Sequence, residues 1–146
     1  MKKVKLITDG GCIGNPGPGG WACIIRYGDK AKELFGSEPE TTNNRMELRA
    51  AIEGLRALKE PCEVVVTSDS QYVINGITKW VAGWKRRGWM KSDNQPVLNK
   101  DLWMVLEFQS DRHNTTWEWT RGHADHGDNN RCDELANAAA RGAATG

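Results

Sequence analysis

Residues 7–21, ITDGGCIGNPGPGGW, set six glycines and two prolines directly behind a short apolar run. Two readings of this stretch lead to different folds. A phosphate-cradling loop would join a strand to a helix, whereas a tight turn would join two strands. The phosphate loop requires G-x-x-x-x-G-K-[ST], and no lysine follows Gly17, Gly19 or Gly20. The dinucleotide pattern G-x-G-x-x-G must open a helix, but Trp21, Cys23, Ile25 and Tyr27 alternate with Ala22, Ile24 and Arg26 as a strand does. The stretch therefore reads as a turn between two strands, the first built from Val4, Leu6, Ile7 and Thr8, with glycines supplying backbone freedom. Its one charged residue, Asp9, falls at the end of that first strand.

Working outward, Gly28-Asp29-Lys30 is a second turn into a third strand ending near Phe35, so strands two and three form a hairpin. From Asn44 to Lys59 the period changes: Glu47, Ala51, Leu55 and Leu58 share one helical face, flanked by Leu48 and Ile52. Pro61 ends that helix, and EVVVTSD (63–69) follows as a buried strand. Residues 70–112 read as mostly helical, with interruptions at Gly76, Gly83, Gly88 and Pro96. TTWEWT (115–120) is a fifth strand, Arg131 to Arg141 a final helix, and 142–146 a short flexible tail. This order predicts a layered α/β or α+β domain spanning 1–146, with a mixed five-stranded sheet.

Composition excludes several classes. Hydrophobic residues make up 38% and charged ones 27% of the 146 residues, with Lys+Arg 20 against Asp+Glu 19, which fits a soluble globular protein rather than a disordered chain or a membrane span. The charge is unevenly spread: residues 78–100 hold Lys79, Lys85, Arg86, Arg87, Lys91 and Lys100 against Asp93 alone. Cys12, Cys23, Cys62 and Cys132 lie far apart, without C-x-x-C or a Cys/His ligand set, and read as reduced thiols. MKKVKLITDG lacks the apolar run of an export signal, so the expected location is cytoplasmic. No apolar helix face is left over for a partner, and a monomer is expected.

Each carboxylate of interest has a local explanation. Asp9-Gly10 can be a hairpin signal, Asp69 a helix N-cap, Glu47 the fourth member of a capping motif starting at Asn44, and Asp133 a complement to a helix dipole. Considered together they say more. A crossover through the first helix makes strands one and four parallel, so Asp9 and Asp69 emerge at the same C-terminal edge of the sheet, where ligands of α/β proteins bind. Glu47 lies on the inward face of its helix, in an early turn. Converging carboxylates repel one another unless a cation neutralises them, and oxygen-only ligation favours Mg²⁺ or Mn²⁺ over zinc. Two such ions serve in-line displacement at a phosphodiester.

The segments TDGGCIGNPGPGGW, TTNNRMEL, TSDSQYV, KWVAGWKRRGW and RGHADHGDNNRCDELA, in this order, resemble those of bacterial ribonuclease H type 1 over almost the whole chain. The resemblance implies the ribonuclease H-like fold, with sheet order 3-2-1-4-5, flanking helices and a basic helical protrusion at 79–91. It implies a four-carboxylate metal site of Asp9, Glu47, Asp69 and Asp133, and a mobile His123 that assists proton transfer or product release. It puts Cys12, Asn15, Asn43, Asn44 and Gln71 along the minor groove of an RNA/DNA hybrid, where a wide shallow groove displays 2′-hydroxyls and base-edge acceptors. For Asn43 and Asn44 helix capping is the local alternative. Thr42 would hold a DNA-strand phosphate, with Arg45 nearby. Trp80, Trp84 and Trp89, interleaved with Lys85, Arg86 and Arg87, would give sequence-tolerant, salt-sensitive binding. Trp103, Trp117 and Trp119 are assigned to the core and His113 to the surface; His126 matches no catalytic role.

Two residues depart from the family's usual pattern. Asp125 stands where glycine is common and Asn130 where an acid is common, which predicts altered pH or metal dependence rather than lost activity. The expected activity is Mg²⁺-dependent hydrolysis of the RNA strand of RNA/DNA hybrids, leaving 3′-hydroxyl and 5′-phosphate ends, with Mn²⁺ able to substitute. Asp9 would bridge two ions, with Glu47 and Asp69 completing one site and Asp133 the other. The rival readings are a non-catalytic hybrid-binding module and another nuclease or transposase on the same fold.

Overall fold

The structure, a computed structural model, describes residues 1–121 and 127–145. Five strands, β1 (Lys2–Cys12), β2 (Gly17–Tyr27), β3 (Lys30–Thr41), β4 (Cys62–Ser68) and β5 (Asn114–Trp119), form one sheet in the order β3-β2-β1-β4-β5. The hairpins pair β1, β2 and β3 antiparallel, and the crossover through α1 (Asn43–Arg56) makes β4 parallel to β1. β5 is also parallel to β4. Between them the chain runs through α2 (Gln71–Asn75), a wide π-type turn (Gly76–Trp80), α3 (Val81–Arg86) and α4 (Lys100–Asp111). The last helix is α5 (Gly127–Thr145).

Helices cover both faces of the sheet. On one face Leu6, Cys23, Val64 and Val66 pack against Leu48, Ile52 and Leu55 of α1 and Trp103 and Leu106 of α4. On the other, Ile7, Ala22 and Ile24 meet Cys132 and Ala136 of α5. This double coverage explains why Trp21 to Ile25 are buried on both sides of the strand alternation.

Several expectations are corrected by tertiary pairing. β1 does not end at Asp9: its ladder with β2 runs on to Cys12↔Gly19, and what ends there is the pairing with β4, at Thr8↔Ser68. β3 continues past Phe35 to Thr41, across a bulge at Gly17/Gly19. Gly83 lies within α3 and does not interrupt it, whereas at Gly76 α2 ends and the wider π-type turn begins, as expected of a break there. At Gly76 the backbone also lies so close to the Trp103 ring that a Cβ would overlap it, so this glycine serves packing as well. α5 begins at Gly127 rather than Arg131 and extends through Thr145, where a flexible tail was expected from 142.

Two aromatic assignments change as well. His113 is buried, not on the surface: Cys62 N–H donates to its Nδ1 at 3.0 Å, and its Nε2 lies 3.2 Å from Leu55 O. Trp119 is 43% exposed, not core, and donates through Nε1 to the backbone oxygen of Asp69 at 3.1 Å. Trp103 is fully buried and Trp117 packs against the core, as expected.

Candidate active site

The parallel register decides where the first two carboxylates go. Thr8 and Ser68 are the last partners of β1 and β4, and Asp9 and Asp69 each follow by one residue, so both side chains leave the sheet at the same edge. Neither local explanation survives. The cap of α2 is Ser70, whose hydroxyl accepts from Val73 N–H at 3.2 Å, and Asp9 lies within the β1–β2 ladder, opposite Ala22, rather than in a turn.

Glu47 is brought to this edge by α1. The approach of helix to strand is close enough that a Cβ at Gly10 would overlap the Met46 carbonyl and the Glu47 nitrogen; only glycine fits there. The cap of α1 is Thr42, whose hydroxyl accepts from Arg45 N–H at 3.2 Å, so Asn43, Asn44 and Glu47 are not its capping groups. One carboxylate oxygen from each of Asp9, Glu47 and Asp69 lies within 4.8 Å of the others. Glu47 Oε1 is buried without a hydrogen-bond partner.

The electrostatics follow from that crowding. Burial, then the Asp69 charge and contact with Asp133, push the Asp9 carboxyl up to about 8. Burial, then Asp9 and Asp69, push Glu47 well above the usual carboxylate range. A nearby cation would reverse both shifts, yet among the described residues no lysine or arginine pairs with Asp9, Glu47, Asp69 or Asp133. The arginines are engaged elsewhere, as in Arg26–Asp128, Arg45–Asp101, Arg49–Glu38 and Arg131–Glu33. A buried orphan oxygen amid uncompensated carboxylates is the donor set of a hard divalent cation, so these residues fit one.

Asp133, exposed on α5, borders a cleft of about 30 Å³ together with Thr8, Asp9, Asp69 and Asn129, room for one or two water-sized occupants. The sequence reading missed Asn129; its spacing of four from Asp133 on one helix was the available signal. His123, with Asp125 and His126, lies outside the described residues.

The expected substrate residues divide into groups. Cys12, Asn15 and Asn43 are tied together: Cys12 N–H donates to Asn43 Oδ1 at 2.7 Å, and Asn43 N–H to Asn15 Oδ1 at 3.1 Å. Asn44 and Gln71 are exposed at the starts of α1 and α2, and Thr42 is half-buried as the cap. Arg45 is held in a two-pronged pair by Asp101, at 3.0 and 2.7 Å, and also reaches Asn99. In the basic segment Trp80 is 39% exposed, whereas Trp84 and Trp89 pack against the core, with the Trp84 ring 5.4 Å from that of Trp103. Lys85 pairs with Glu107. Arg86 and Arg87 are exposed, and neither forms an ion pair among the described residues.

The RNase H family model matches residues 1–141. The chain belongs to the RNase H family. A Ribonuclease H of Solibacter usitatus (strain Ellin6076) is 64% identical over 141 residues, 97% of each chain. Among solved structures, LC9-RNase H1, described as a type 1 RNase H with the type 2 active-site motif, superposes with a TM-score of 0.88 at 35% identity, covering 97% of this chain and 74% of that one. The foamy viral protease-reverse transcriptase in complex with RNA/DNA hybrid superposes with a TM-score of 0.77 over 95% of this chain and 20% of that chain; at 16% identity it shares the fold alone. The family's five-stranded architecture is the one found here.

Proposed function

We infer that this protein is an endoribonuclease that hydrolyses the RNA strand of RNA/DNA hybrids with the help of Mg²⁺, leaving 3′-hydroxyl and 5′-phosphate ends. The observation that carries the reading is the trio Asp9, Glu47 and Asp69, within 4.8 Å of one another and without a counter-cation among the described residues, in a chain of the RNase H family. Asp9, Glu47 and Asp69 would hold one ion, and Asp9 with Asp133 a second. When bound, such ions activate a water and stabilise the leaving oxygen of the phosphodiester.

The chain's own groups do the rest. Burial and mutual repulsion favour the protonated forms of Asp9 and Glu47, and because only the ionised carboxylates are ligands, holding an ion there would be coupled to proton release. β1 and β4 fix the spacing of Asp9 and Asp69, and the Trp119 indole holds the Asp69 backbone in place. His123 is assigned proton transfer or product release. Asn15, Asn43, Asn44 and Gln71, with Cys12, face the hybrid minor groove, and Thr42 takes a DNA-strand phosphate. Trp80, Arg86 and Arg87, with Lys85, meet the backbone through charge and ring contacts, while Trp84 and Trp89 form their footing. The reading also has the protein acting as a monomer in the cytoplasm, with Mn²⁺ able to substitute for Mg²⁺.

A panel of labelled hybrid, duplex RNA, duplex DNA and single strands, each with Mg²⁺ and with EDTA, tests this. The expected result is metal-dependent cleavage of the hybrid's RNA strand alone. An intact RNA strand in the presence of Mg²⁺ would overturn it, as would equal cleavage of duplex DNA.

A further inference from the structure

The catalytic edge has a neighbour on the α5 side of the sheet. α5 packs over β1, β2 and β3, and beside its first turn, toward β5, lies a larger cleft of about 660 Å³ whose lining includes Lys5, Arg26, Glu118, Trp119, Asp128 and Asn129. Asn129 also borders the small cleft of Asp9, Asp69 and Asp133, so the two adjoin. Nothing in the reaction proposed above occupies the larger one. One wall of it is an aromatic ring held in place: Trp119 Nε1 donates to Asp69 O at 3.1 Å, and the next residue, Thr120, donates its N–H to Ser68 O at 3.0 Å. With its one polar atom already bonded, the half-exposed indole offers its apolar π surface. The charges around it balance. Arg26 is paired with Asp128, and Lys5 and Glu118 remain as a donor and an acceptor without an ion pair among the described residues. A cleft with as many acids as cations does not draw in a phosphate, whereas a fixed ring with a donor and an acceptor beside it suits the face and the edge of a neutral nucleobase.

Resting on the function proposed above, we propose that this cleft receives an unpaired base of the RNA strand, stacked on Trp119, where that strand leaves the catalytic edge. The RNA strand is the one whose scissile phosphate meets Asp9 and Asp69, so its nucleotides, not those of the DNA strand, pass the mouth of the cleft. A base still paired to DNA is held in the helix and cannot turn in. A base at a frayed end or an overhang has no partner to give up, and stacking on the ring replaces the stacking it has lost. The site therefore favours hybrid ends and junctions at which the RNA continues unpaired.

The test compares a short blunt hybrid with the same hybrid carrying one unpaired 2-aminopurine on its RNA strand or on its DNA strand. Affinity is measured by fluorescence anisotropy without divalent metal, so the readout does not depend on cleavage. The parent protein is expected to bind the RNA overhang about fivefold more tightly than the blunt hybrid, the lower end for one base stacked on an aromatic side chain, and to quench its 2-aminopurine fluorescence. The DNA overhang is expected to gain nothing, and free 2-aminopurine ribonucleoside monophosphate at the same concentration to stay unquenched. Trp119→Phe keeps a ring but not the N–H bonded to Asp69, and should keep most of the gain; Trp119→Leu should lose both gain and quenching. Because each gain is a ratio within one protein, a general change in affinity cancels. Equal binding of blunt and RNA-overhang hybrids by the parent, a comparison that needs no variant to fold, would overturn the inference. So would an equal gain from the DNA overhang, equal quenching of the free nucleotide, or quenching that persists in Trp119→Leu. Failure of metal-dependent cleavage with the overhang gain intact would instead count against the proposed function.

Discussion

The sheet edge and the basic segment carry opposite charges under opposite physical conditions. At the edge, Asp9, Glu47 and Asp69 are crowded together, two of them half-buried or deeper and pushed toward protonation by burial and mutual repulsion. In the segment from Lys79 to Lys91 the cations are exposed, and water and salt screen them. The first arrangement is costly without a ligand and tolerates no loss of geometry. The second is cheap, redundant and graded. A buried cluster of like charge marks where chemistry is done, and a solvated cluster marks where a polyanion is met.

The largest effect separates the two regions by kind. Asp9→Asn should lower the cleavage rate by at least about 1,000-fold, because several kcal/mol of transition-state stabilisation are lost with the ligand, while hybrid affinity measured without metal changes little. Steady-state kinetics beside anisotropy read out that split; a loss carried mainly by affinity would place Asp9 in binding.

Within the basic segment, Trp84 and Trp80 should behave differently. Trp84→Ala should cost about 2 kcal/mol of folding stability, since a half-buried ring leaves a void against Trp103. Trp80→Ala should leave urea unfolding nearly unchanged and weaken hybrid binding several-fold. Equal destabilisation by both would erase the distinction between footing and contact.

The acid edge should also announce itself in stability without metal. The folded-state pKa of Asp9 is raised from 3.8 to about 8, so the folded state holds a proton that the unfolded chain releases. Stability is therefore lost as pH rises from about 4 to about 8. Asp9→Asn should be the more stable protein at pH 8 in EDTA, by on the order of 2 kcal/mol, and the difference should vanish near pH 4. His113 contributes with the opposite sign: burial lowers its pKa from 6.5, so its share is present above that value and is lost as pH falls below it. The parent–variant comparison isolates Asp9. Urea melts across this range check the sign.

The smallest effect belongs to single cations. Replacing Arg86 and Arg87 by Ala should raise KM a few-fold at low salt and flatten the salt dependence of binding by about 0.9 for each phosphate that is no longer neutralised. Unchanged salt slopes would remove the segment from the interface.

Much of this was legible in the sequence because the decisive features are local or topological. The alternation after Gly20 excluded a nucleotide loop, and a crossover helix between two strands implied that Asp9 and Asp69 share an edge. What stayed illegible depends on contacts between distant segments. Nothing near His113 in the sequence announces that Cys62 and Leu55 enclose it. Trp119 and Trp117 look alike as strand residues, and only the sheet edge at Ser68 leaves the former exposed. Ser70 and Thr42 took the capping positions that made Asp69 and Glu47 ambiguous, and the freed carboxylates became the informative ones. Asn129 was hidden because its place beside Asp9, Asp69 and Asp133 depends on where α5 docks.

The most direct test of the central claim, that Asp9, Glu47 and Asp69 form a divalent-cation site, is calorimetric titration of Mg²⁺ or Mn²⁺ into the protein at pH 7 in buffers of different ionisation enthalpy. The account predicts binding with net proton release, because burial and mutual repulsion raise the Asp9 and Glu47 carboxyls and a cation favours their ionised forms, and loss of both binding and release in Asp9→Asn. Binding of equal affinity in parent and Asp9→Asn, with no proton released by either, would contradict it.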